Sequence, residues 1–153
     1  MSFLRRLFGL SDAVVDPVLG SMVERDGQWT GRASWAHSPQ PFALTVNRAG
    51  EVPSQADRDL FQTLSRDYPA LRTGLQDALF RLWPGARSTA ETELPPNFGG
   101  SLDLWSRLAL QGMGLFPDGH AELIYGLDDE SVLEGAFIVS VRGQEVSPLE
   151  YVE

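Results

Sequence analysis

Two imidazoles, His37 and His120, and one run of carboxylates, Asp128-Asp129-Glu130, are the groups with the right chemistry for acid–base or metal work in this 153-residue chain. Imidazole titrates near neutrality, which suits it to moving protons. Adjacent carboxylates can share a proton or hold a divalent cation. The spacing supports neither use. His37 stands in Trp35-Ala36-His37-Ser38-Pro39 at a strand end, and His120 follows a turn, each outside any nucleophile or metal-ligand motif. The carboxylate run lacks an Asp-x-Asp-x-Asp-Gly loop and reads as a solvated turn. No serine occupies a nucleophile elbow, and Gly112 with Gly114, or Gly99-Gly100, are too sparse to cradle a phosphate.

Composition removes further chemistry. The chain has no cysteine, and all 12 of its basic residues are arginine. Disulfides, thiolate nucleophiles, cysteine-ligated zinc, iron–sulfur clusters, Schiff-base lysines and a Walker-type lysine are therefore excluded within it. We expect no catalytic residues, no metal and no cofactor. The alternative from another class is a carboxylate-dependent hydrolase, which requires Asp128, Asp129 or Glu130 to converge with His120 in a concave site. Absence of cysteine favours the cytoplasm over an oxidising compartment.

Charge suggests the partner instead. The net charge is −9, a field that repels phosphate backbones and argues against nucleic acid. It is unevenly spread: ten arginines face nine acids over residues 1–90, but two face twelve over 91–153. A basic protein partner fits that imbalance, with Asp128, Asp129, Glu130 and Glu134 as the expected partner-binding residues.

The elements that must position these groups follow from periodicity. Phe3, Leu4, Leu7 and Phe8 share a helical spacing with Arg5 and Arg6 elsewhere, so residues 1–15 read as an arm or short helix. One short amphipathic turn holds lipid weakly, so no stable membrane association is expected. Residues 16–153 read as one domain. Its first part is a three-stranded meander: Val18–Glu24, a turn at Arg25-Asp26-Gly27, Gln28–Trp35, and Phe42–Asn47, with Trp29 and Trp35 on the buried face. Ser54 and Asp57 have capping-box spacing at a helix start, and Leu60, Phe61, Leu64 and Tyr68 continue its stripe. A second stripe from Leu71 to Trp83 follows Pro69, as a separate helix or the rest of one kinked helix. Residues 84–100 read as a long exposed loop. Next come a short helix, Leu102–Leu108, and four strands: Leu110–Phe116, His120–Leu127, Ala136–Arg142 and Glu145–Val152, with Pro117-Asp118-Gly119 turning the first pair. Strands grouped on either side of a helical block predict an α+β fold, an antiparallel sheet packed against two to three helices.

Four segments carry a resemblance. They are Asp16-Pro17-Val18-Leu19-Gly20 ahead of the tryptophan hairpin, Pro53-Ser54 with Leu60-Phe61, Leu104-Trp105 before a strand, and Gly135-Ala136-Phe137-Ile138-Val139-Ser140-Val141. In this order the chain resembles an uncharacterised family of small bacterial cytosolic α+β domains. The resemblance implies a non-catalytic immunity or regulatory module. Similar sequences often place a histidine after the glycine aligned with Gly135, where this chain has Ala136.

Overall fold

A computed structural model describes residues 13–48, 51–83, 101–127 and 135–152. Eight strands form one sheet: β1 (Ala13–Asp16), β2 (Gly20–Arg25), β3 (Gln28–Ala33), β4 (Phe42–Asn47), β5 (Leu108–Leu115), β6 (Ala121–Leu127), β7 (Ala136–Arg142) and β8 (Glu145–Val152). Their spatial order is their sequence order. Every neighbouring pair is antiparallel except β4 and β5, which run parallel with Leu44 opposite Met113. A parallel pair needs a crossover, and α1 (Gln55–Leu82) with α2 (Ser101–Arg107) lies within it.

The protein is therefore mainly sheet, a coarse α+β arrangement. Its described residues hold one long and one short helix, rather than two stripes on separate helices. They also hold one strand beyond the seven expected, since β1 pairs with β2 through Val14 opposite Met22. Between these strands, Pro17 to Leu19 turn where the sequence suggested extended chain. The Asp16 carboxylate accepts from the amides of Val18 and Leu19 at 2.8 and 2.9 Å, an Asx-type turn that Gly20 closes at φ 85°.

The expected hairpins form. Asp26 and Gly27 both take positive φ, 53° and 81°, as a two-residue turn matched to strand twist requires. Ser54 caps α1 in the predicted capping box with Asp57. The helix buries Phe61, Leu64, Tyr68, Leu71, Leu75, Ala78, Leu79 and Leu82, a single stripe at three- and four-residue steps. It packs across β7 and β8. Period-two alternation sends Met22, Trp29, Leu44, Val46, Leu123, Phe137 and Val139 into the same core. Both expected tryptophans are buried, and Trp35 lies 5.9 Å from Phe61 between ring centroids. Trp29 donates from its indole to the Glu51 carbonyl at 2.6 Å.

Pro69 lies inside α1. It has no N–H for the Ser65 carbonyl one turn earlier, and the His37 ring supplies the missing donor, Nε2 to Ser65 O at 2.7 Å. A carbonyl only accepts, so Nε2 carries the proton in this contact. Replacing His37 by alanine should cost about 1 kcal/mol, and close to nothing in a Pro69→Ala background, where residue 69 provides its own amide. Equal losses in both backgrounds, measured by urea unfolding, would show that His37 does not act through Ser65.

Among the described residues no helix is long and apolar enough to cross a membrane.

Candidate functional site

Two concave regions lie on opposite sides of the sheet. The first is on the face away from α1. There the registers set Thr45 beside Gly114, Gly114 beside Glu122, and Glu122 beside Ser140. Small residues in the middle strands leave a groove of about 360 Å³, lined by Gln28, Thr45, Asn47, Gly112, Gly114, Phe116, Glu122 and Ile124 among others. A bulge between Leu110 and Gly112 breaks the β5–β6 register nearby. Bulges of this kind re-aim side chains beside a strand pair.

At one end of the groove the Pro117-Asp118-Gly119 turn gathers charge. Asp118 contacts His120 through Oδ1 and Nδ1, and pairs with Arg142 through Oδ2 and Nη2 at 2.8 Å. Arg142 also donates to the Asp118 carbonyl at 3.1 Å. The Arg142 guanidinium, followed by the His120 ring and amide, holds the Asp118 carboxyl far below the usual carboxylate range. On its other side His120 faces Glu122, Nε2 to Oε1 at 3.7 Å. Its ring stacks on Phe116 at 4.3 Å between centroids.

The second region is a cavity of about 520 Å³ where α1 and α2 meet the sheet, lined in part by His37, Tyr68, Arg72, Trp105, Ser106 and Tyr125. The α1 stripe delivers Tyr68, β6 delivers Tyr125, and their hydroxyls meet at 2.6 Å. Burial raises the pKa of Tyr68, although the hydrogen bond from Tyr125 and the charge of Arg72 oppose it. Burial also raises Tyr125 well above an ordinary phenol, reinforced by Tyr68. Both hydroxyls therefore stay protonated near neutrality. Beside them Trp35 is buried among the rings of Phe42, Phe61 and Tyr68, with an indole N–H that has no hydrogen-bond partner among the described residues.

No protein family, curated protein or solved structure matches this chain.

The two expected imidazoles are far apart in role. His37 serves the Ser65 carbonyl and stacks on Tyr68, with centroids 5.3 Å apart. His120 belongs to the groove. Asp128, Asp129, Glu130 and Glu134 lie outside the described residues, as do Phe3, Leu4, Leu7, Phe8 and the loop 84–100. Among the described residues no group of three or more His, Asp or Glu side chains is placed to hold a metal ion. Sequence reasoning passed over Asp118, Glu122 and Arg142. The signal was present for Glu122, which stands two residues after His120 in the expected strand His120–Leu127 and so leans to the same side; Asp118 joins them from the preceding turn. For Arg142 and the tyrosine pair no local signal exists.

Proposed function

We propose that this protein is a non-catalytic interaction module, an immunity or regulatory protein that docks a basic partner on the sheet face away from α1. The observation that supports this most is where the strands put their carboxylates. Glu122 faces Ser140, Ser140 faces Ser147, Ile138 faces Glu150 and Arg142 faces Glu145, so Glu122, Glu145 and Glu150 share that face. Of the arginines on that face, Arg142 is already paired with Asp118, while Arg25 and Arg32 stand on β2 and β3 on the other side of the groove. Beside Glu122 the groove offers Gly112, Gly114 and Ile124. An arginine or lysine of the partner lays its methylenes there and brings its charge to the Glu122 carboxylate. In the sequence, Asp128, Asp129, Glu130 and Glu134 add four carboxylates between β6 and β7.

Association should be electrostatically steered, and so should slow as salt rises, because exposed charges are screened over roughly 8 Å at physiological ionic strength. Replacing Asp128, Asp129, Glu130 and Glu134 together with Asn or Gln should lower the association rate with little change in stability. Adding Glu122→Gln should also speed dissociation. Stopped-flow mixing with the partner, across a salt series, reads both rates. An association rate indifferent to salt and to the quadruple substitution would overturn the proposal.

A second reading, the carboxylate-dependent hydrolase, is favoured by one contact set: His120 held between Asp118 and Glu122 beside the groove. Asp118 stays ionised and would orient the ring, with Glu122 on the ring's other side at the groove. Turnover of an ester or amide substrate that is lost in Glu122→Gln would favour this reading. Unchanged turnover in that variant would remove it.

A further inference from the structure

The cavity beneath the helices lies on the other side of the sheet from the partner face and differs from the rest of the molecule in charge. In a chain of net charge −9, its lining holds no Asp or Glu among the described residues, while Arg72 stands in it. Arg72 projects from an exposed position on α1 and its charge reaches the Tyr68 hydroxyl. Asp67 is already paired with Arg66, and among the described residues no carboxylate forms an ion pair with Arg72. The walls are aromatic. Trp105 lies 5.8 Å from Tyr125 between ring centroids, and His37 lies 5.3 Å from Tyr68. The two tyrosine hydroxyls share one hydrogen bond of 2.6 Å, which engages one of their two protons. A buried hydroxyl proton without an acceptor is costly unless something outside the protein accepts it.

The geometry points to a binding site for a small planar aromatic carboxylate, its ring held among Trp105, Tyr68 and Tyr125 and its charge on Arg72. The tyrosine pair donates its second proton to the same ligand. The volume, about 520 Å³, falls within the range of small-ligand sites, roughly 300–1,000 Å³. Offset and edge contacts between rings favour a flat aromatic body over an aliphatic one. A planar guanidinium favours a carboxylate, which it meets with two parallel hydrogen bonds. Because burial keeps both phenols protonated, the pair donates throughout the neutral range.

The probe is indole-3-carboxylate, with indole-3-carboxamide as its uncharged counterpart, titrated into the full chain by calorimetry and by the shift of the Trp105 indole N–H resonance. The acid should bind saturably at one site, and the amide about ten-fold more weakly. Arg72→Gln should weaken the acid by about ten-fold and leave the unfolding midpoint unchanged, since Arg72 is exposed. The double variant Tyr68→Phe with Tyr125→Phe, which removes both hydroxyls and orphans neither, should weaken acid and amide alike. No saturable binding, equal affinity for acid and amide, or an acid affinity untouched by Arg72→Gln would each overturn the assignment. None of these results depends on the opposite face of the sheet, so partner docking stands or falls separately.

Discussion

Replacing Asp16 by alanine is expected to cost about 3 kcal/mol, lowering the melting temperature by about 10 °C for a domain of this size. The side chain is 2% exposed and accepts three hydrogen bonds at once. One oxygen accepts from the amides of Val18 and Leu19 and closes the β1–β2 turn; the other receives Arg58 Nε at 2.8 Å and ties that turn to the first part of α1. Removing it strands two amides and takes the carboxylate from a guanidinium that is 26% exposed and keeps only its 3.4 Å contacts with Gln55 and the Pro53 carbonyl. Asp16→Asn keeps an acceptor for the turn and should cost about half as much. Acid titration separates charge from shape. Burial alone would raise the Asp16 pKa, but the Leu19 and Val18 amides and Arg58 outweigh it and hold the group below its ordinary value. A lowered folded value means the stabilisation is complete above the unfolded pKa, about 3.9, and is lost as pH falls through the folded one. The wild type should therefore lose stability below about pH 4 more steeply than Asp16→Asn. Parallel acid profiles for the two proteins would show that the Asp16 charge contributes nothing.

Elements with local signals were legible in the sequence. Asp26-Gly27 specifies its own turn, Ser54 and Asp57 specify their own cap, and the alternation of Trp29, Gly31 and Ala33 specifies a strand face. What stayed hidden depends on residues distant in the chain. The β4–β5 pairing joins Leu44 to Met113 in parallel, and nothing in either strand names the other. β1 is only four residues long, too short for a period to declare itself. Pro69 has the local appearance of a helix boundary. It continues the helix because His37, 28 residues before Ser65, takes the Ser65 carbonyl that proline abandons. The candidate site divides the same way: His120 and Glu122 stand two residues apart where β6 begins, whereas Asp118 reaches them from the turn and Arg142 only when β6 and β7 pair.

Gly31→Ala should destabilise the protein by about 3 kcal/mol although it adds one methyl group. Gly31 faces the core side of β3, between Trp29 and Ala33, opposite Met22 of β2. A methyl carbon there would overlap the Ser21 carbonyl oxygen and stand 2.7 Å from Met22 Sδ. The thioether could swing aside, being flexible. The carbonyl is backbone and moves only with its strand. Shifting β2 would disturb Met22, which is fully buried, and with it the β1–β2 turn whose Asp16 reaches Arg58. The cost therefore spreads from one methyl group to a strand pair and a buried ion pair. Gly112→Ala makes the control, since its added carbon would lie 3.3 Å from Ile124 Cδ1, the far end of a side chain on the uncovered face. That contact yields by rotation, and the change should fall within about 0.5 kcal/mol. Urea unfolding of both variants tests the contrast. A Gly31→Ala midpoint equal to that of Gly112→Ala, at unchanged slope, would mean that β2 relaxes freely and that the close approach of Ser21 is not what reserves position 31 for glycine.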